Sequence, residues 1–144
     1  MKTILYVGVF AYLLAGQTAM AQITSEQITG TWGLVGFDFK AQNKSGELTV
    51  AEKETFSMMQ KALKQQPKFM KLTFNADGTF KSEPDAYKSY MEMPTWELKD
   101  KVVIIKINKK VVERYNARIA SNGWLELKAV KSKIAIPIMS LEKD

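Results

Sequence analysis

Any chemistry in this chain falls to carboxylates, phenols and two arginines, because histidine and cysteine are both absent. Without histidine the commonest general base, proton shuttle and transition-metal ligand is missing. A serine–histidine–acid triad cannot be built, and a zinc site would need carboxylates alone. Without cysteine there is no thiolate chemistry, no disulfide and no thiol for lipid attachment. Arg114 and Arg118 stand four residues apart on a predicted strand and so share a face. Facing inward, two guanidinium groups would require anions, and a carboxylate-headed ligand such as a fatty acid fits that need. Facing outward they are ordinary surface charges, and at least one of them is assigned to the outside. Asn75, Asp77 and Glu83 lack the regular ligand spacing and terminal glutamate of a calcium loop, so Asn75-Ala76-Asp77-Gly78 is read as a turn. No glycine-rich phosphate loop or nucleotide fingerprint occurs. Asp38, Glu97 and Glu126 fall on strands, yet nothing in their spacing joins two of them as a glycosidase pair. The expectation is a non-catalytic protein with no cofactor and no metal.

The aromatic residues are the other candidates. Trp32, Phe74, Phe80, Tyr87, Tyr90, Trp96, Tyr115 and Trp124 would line a core, a cavity or its rim. Buried phenols need hydrogen-bond partners, which a wet cavity supplies. Tyr87, Tyr90, Met91 and Met93 lie between Pro84 and Pro94, and they predict a pliable aromatic and thioether loop at one mouth of the fold.

The elements that must position these residues begin after a leader. Lys2, the apolar run from Thr3 to Ala15 and the triplet Ala19-Met20-Ala21 have the arrangement of a secretory signal, cleaved after Ala21. A signal anchor is the competing reading. The expected organisation is a signal peptide over 1–21 and one domain over 22–144, secreted or periplasmic, with no membrane span after cleavage. The chain carries 21 Lys+Arg against 15 Asp+Glu and a formal charge of +6. Only Lys2 leaves with the leader, and the modest, scattered surplus that remains reads as a solvated surface, not a nucleic-acid-binding patch.

Thr24 or Ser25 can cap a single helical turn, after which Ile28 to Phe39 reads as a long first strand. Its apolar alternation changes phase at Gly36, which predicts a bend or bulge. Thr49-Val50-Ala51-Glu52 is a capping box, and Phe56, Met59, Ala62 and Leu63 form the apolar stripe of a helix running to about Gln66 and stopped by Pro67. The segment Lys71 to Lys81 then alternates around Asp77-Gly78 as a hairpin. Short strands follow over Thr95–Leu98, Val102–Ile107, Val111–Ala120, Trp124–Val130 and Lys133–Leu141, and Ala86–Met91 either continues the hairpin's second arm or makes a strand of its own. Val102–Ile107 is apolar on both faces, which suits a central strand or one covered by the helix. Pro137 suits an edge or a bulge of the closing strand. Meander order with short connections favours an up-and-down barrel.

Gly30-Thr31-Trp32 is similar to the Gly-x-Trp signature of lipocalins. Together with Leu72 to Phe80, Thr95-Trp96-Glu97-Leu98 and Leu125-Glu126-Leu127, the chain resembles exported bacterial lipocalin-like domain proteins over roughly Ile28 to Leu141. The resemblance implies an all-β, up-and-down lipocalin-like barrel of eight or nine strands with one amphipathic helix after the first strand. It also implies an internal site for a small hydrophobic molecule, and a floor where Trp32 packs against an arginine, for which Arg114 and Arg118 are the candidates. The predicted ligand-binding set is Trp32, Leu34, Phe74, Phe80, Tyr87, Tyr90, Trp96, Tyr115 and Arg118. Two other readings stand beside the carrier: a filled barrel acting as an envelope protein-interaction module, and an enzyme using carboxylate and tyrosine chemistry at the barrel mouth.

Overall fold

The computed structural model describes residues 22–42, 45–131 and 136–144. The predicted leader and the start of the last predicted strand, Lys133 to Ala135, lie outside the described residues. The order is α1 (Ser25–Ile28), β1 (Gly30–Lys40), α2 (Val50–Gln65), β2 (Lys71–Phe74), β3 (Phe80–Glu83), β4 (Thr95–Lys99), β5 (Val102–Ile107), β6 (Lys110–Ile119), β7 (Leu125–Ala129) and β8 (Ile136–Lys143). Residues 86–91, the alternative short strand, form turns instead. Among these elements no helix is long and apolar enough to cross a membrane.

The strands form one antiparallel sheet in the order β3-β2-β1-β8-β7-β6-β5-β4. Its two ends meet through a Thr79–Thr95 bridge, with Phe80 N donating to Pro94 O and Trp96 N donating to Gly78 O, both at 2.9 Å. The sheet is thereby an all-β, up-and-down barrel, nearly closed, with a short seam between β3 and β4. This placement removes the edge role proposed for Pro137, since β8 lies between β1 and β7. Pairing with β7 ends at Ile138, so the missing donor of Pro137 falls beyond that ladder. Tight turns set the register. Asp100-Lys101 and Asn108-Lys109 both carry φ between 50° and 65°, the two-residue hairpin geometry that matches strand twist. At the β2–β3 turn, Asp77 accepts from the Thr79 hydroxyl at 2.6 Å and from Thr79 N at 2.9 Å, and these bonds hold its carboxyl below the usual range.

The phase change at Gly36 is a bulge: β1 pairs Leu34 with Leu141 and then Gly36 with Ser140. The extra residue re-aims the second half of the strand, so that Phe37 and Phe39 pair opposite Met139 and Pro137. β1 pairs with β8 as far as Lys40 but with β2 only through Gly33. Helix α2 occupies the side that β2 leaves vacant, and the Gln60 amide donates to the Phe37 carbonyl at 2.9 Å. Met59 and Leu63 pack on the core from this helix. The helix therefore flanks β1 and does not cover β5, whose outward Val102 and Ile104 stay partly exposed. Thr49 and Glu52 form the expected capping box.

Inward residues of all eight strands fill the lower barrel: Trp32, Leu34, Leu72, Phe74, Phe80, Trp96, Val103, Ile105, Leu125, Leu127 and Leu141 among them. Burial of such side chains contributes about 1.5–3 kcal/mol each. Helix α1, capped by Thr24, seals this end with the fully buried Ile28, whose carbonyl accepts from Trp32 Nε1 at 2.7 Å. The cation on Trp32 is Lys143 from the last strand, its Nζ 5.4 Å from the ring centroid. This corrects the arginine expected there, because Arg114 and Arg118 are both exposed. Gly30 makes the arrangement possible: it adopts φ +130°, and a Cβ at that position would stand 2.8 Å from Lys143 Cε.

Candidate functional site

The end of the barrel opposite Trp32 is built differently. Because the strands alternate in direction, the C-terminal end of β1, the turn from β5 to β6, the end of β7 and the 84–94 loop all gather there. On β6 the residues Glu113, Tyr115 and Ala117 alternate onto the inner face, with Ala117 in the core and Tyr115 packed against it. Tyr87 is delivered by the 84–94 loop. Ser82 Oγ accepts from Ala86 N at 3.1 Å and Asp85 accepts from Tyr87 N at 2.9 Å, which folds the loop back over the barrel end.

Here the two phenols converge on one carboxylate. Tyr87 donates to Glu113 Oε2 at 2.6 Å and Tyr115 donates to the same oxygen at 2.9 Å. Burial pushes both phenols well above the ordinary tyrosine range. The hydrogen bond and the charge of Glu113 push them further the same way. They are therefore fixed as neutral donors. Tyr87 also joins a file of rings running up from the core, Trp96–Phe74–Phe80–Tyr87, with successive centroids 5.2, 5.1 and 6.0 Å apart. Each contact in that file has the tilted or edge-to-face geometry that aromatic pairs prefer.

Glu113 and Tyr115 open into a cleft of about 430 Å³. Its other walls are Val111, Val112, Ala129, Val130 and Pro137, with Arg114 and Lys131 at the rim. The half-open lining mixes apolar side chains with a carboxylate, a phenol and two cations in about equal measure. Two further clefts are present. One of about 360 Å³ is bounded by Glu92, Met93, Thr95, Lys106, Asn108 and Lys109. The other, about 580 Å³, separates Phe56 and Gln60 of α2 from the outer face around Gly36, Asp38 and Ile138. The last is larger, but it lies on the outside of the sheet. Of these three, the 430 Å³ cleft is the one that reaches the inner wall and its hydrogen-bonded acid.

The predicted ligand-binding residues separate into three groups. Trp32, Leu34, Phe74, Phe80 and Trp96 are buried core side chains packed on one another. Tyr87 and Tyr115 meet at Glu113. Tyr90 and Arg118 are turned outward: Tyr90 is half exposed with its ring 6.5 Å from that of Tyr87, and Arg118 Nη2 donates to Glu126 Oε2 at 2.8 Å on the outer surface. An inward Arg118 is thus corrected. β6 presents alternate residues inward, and Arg118 lies between the inward Ala117 and Ile119. Glu113 was missed as a site residue, although the signal was available. It is two residues from Tyr115 and so on its face, opposite to Arg114. Among the described residues no cluster of three or more acidic side chains is arranged to hold a metal ion.

No family model and no curated protein matches this chain. Among solved structures, a DUF4847 family protein from Bacteroides vulgatus ATCC 8482 is similar at 20% identity, over 78% of this chain and 92% of that one, with a TM-score of 0.40.

Proposed function

We propose that this chain is an exported, lipocalin-like barrel that binds a small amphipathic molecule at its mouth without transforming it. The observation that carries the reading is the 430 Å³ cleft beside the Tyr87–Glu113–Tyr115 cluster. That volume lies within the range of small-molecule sites, and a packed floor below it would hold the walls in place. Apolar burial along Val111, Val112, Ala129, Val130 and Pro137 supplies affinity at about 25 cal/mol per Å², and the acid cluster orients a polar head. Phenols held neutral and a carboxylate already accepting two hydrogen bonds are suited to orientation, not to proton transfer. Export is supported by the leader pattern at residues 1–21.

The test is thermal unfolding of the 22–144 domain with fatty acids, alkyl amines, retinoids, haem and bile acids. A ligand present at a hundred times its Kd stabilises by about 2.7 kcal/mol, which for a domain of this size raises the midpoint by roughly 10 °C. Silence across the whole panel removes the carrier reading. The second reading, an envelope protein-interaction module, then takes its place. It is favoured by one observation, the fully exposed Met91 and the exposed Tyr90 and Met93 on the mouth loop.

A further inference from the structure

Resting on the mouth cleft as the ligand site, we infer that its head-group pocket is built for a cation, so that the ligand is an amphipathic amine and not a fatty acid. Glu113 is the acid on the inner wall, and both of its hydrogen bonds come from neutral phenols to one oxygen, Oε2. Its second oxygen, Oε1, takes no hydrogen bond from any described residue and is not sealed from solvent; the side chain lines the cleft. Arg114 and Lys131 line the same cleft, yet among the described residues neither forms an ion pair with Glu113. Both are exposed at the rim of the cleft, Arg114 on the outer register of β6. The arginine that would have received a carboxylate, Arg118, is committed to Glu126 outside the barrel.

A half-buried carboxylate without a cation is costly unless something positive arrives. The groups around it suit an ammonium. Oε1 accepts one charge-assisted hydrogen bond, and the Tyr115 phenol stands beside it in the same cleft. The alkyl portion then lies along Val111, Val112, Ala129 and Pro137. An anionic head hydrogen-bonded at the same place would face the Glu113 carboxylate, which no described ion pair offsets.

The experiment is calorimetric titration of the 22–144 domain at pH 7 with dodecylamine and dodecanoate below their micelle concentrations and dodecanol below its solubility limit. Dodecylamine is expected to bind at least about tenfold tighter than either of the others, and Glu113→Gln to abolish that preference. Equal or tighter binding of dodecanoate or dodecanol by the wild-type domain overturns the inference and leaves the ligand site standing. So does a Glu113→Gln protein that still prefers the amine. If none of the three binds while another member of the wider panel does, the cationic assignment alone fails; if nothing binds, the carrier reading fails with it. The wild-type comparison decides the matter even if the variant does not fold.

Discussion

Tyr87 and Tyr115 come from a loop and a strand, yet they end on the same oxygen of Glu113. Both phenols hold their protons to a higher pH in the folded protein than in the unfolded chain, where tyrosine titrates near 10. Above that pH the folded state therefore binds more protons than the unfolded state, and stability falls as pH rises. The expected outcome is a urea midpoint that is steady from pH 7 to 9 and drops above pH 10. The Tyr87→Phe, Tyr115→Phe double variant should be less stable at pH 7 by about 1–3 kcal/mol but show a shallower alkaline decline. Measuring urea midpoints of both proteins at pH 8, 10 and 11 checks this, and parallel declines would remove the phenols as its source. Residue chemistry alone pointed to these two tyrosines, because a buried phenol wants a partner. It did not point to Lys143 on Trp32, since the cation there is a lysine brought in by the register of β8 against β1.

Helix α2 acts as a stand-in for a strand. Where β2 stops, the Phe37 carbonyl would face the side of the barrel unpaired, and Gln60 supplies the missing donor. Gln60→Ala should cost about 1 kcal/mol, and Thr49→Ala, which dismantles the capping box, a similar amount. Urea unfolding of the two single variants and the double measures both losses. They are expected to add, because the cap and the Gln60 contact share no partners. Much of this scale was legible beforehand. The Thr49–Glu52 box, the stop at Pro67, the Asp77-Gly78 turn and the phase change at Gly36 each rest on local backbone chemistry and each appears in the fold. Less was legible where the outcome depends on pairing. A second bulge, between Ile105 and Lys106 of β5, shifts the register against β6. It re-registers Lys106 and Ile107 against Val111 and Lys110, a shift that short-range patterns do not encode. Trp32, Leu34, Phe74, Phe80 and Trp96, expected along a ligand cavity, pack on one another in the core, as side chains do in the bore of an eight-stranded barrel.

At the scale of the whole molecule the two ends of the barrel do different work. One is sealed by Ile28, Trp32 and Lys143, and the other carries the acid cluster and its cleft. The sheet itself has a beginning and an end, at β3 and β4, joined by two backbone hydrogen bonds. Chain order and spatial order differ by a rotation: reading around the sheet from β4 gives β4 through β8, then β1, β2 and β3. The start of β1 and the end of β8 are neighbours, with Trp32 opposite Lys143 and Asp144 N donating to Thr31 O at 2.9 Å. A circularly permuted gene, opened within residues 84–94 and spliced from Asp144 to Gln22 by a flexible linker, would encode the strands in the order in which they lie side by side. Its product is expected to fold with an unchanged near-ultraviolet dichroism spectrum and a melting midpoint within about 5 °C of the parent's, a difference on the order of 1 kcal/mol. A permutant opened at Asn108-Lys109 breaks a tight hairpin and should melt lower. Were the 84–94 permutant the less stable of the two, the seam would be a structural joint of the barrel and not its natural point of entry for new termini.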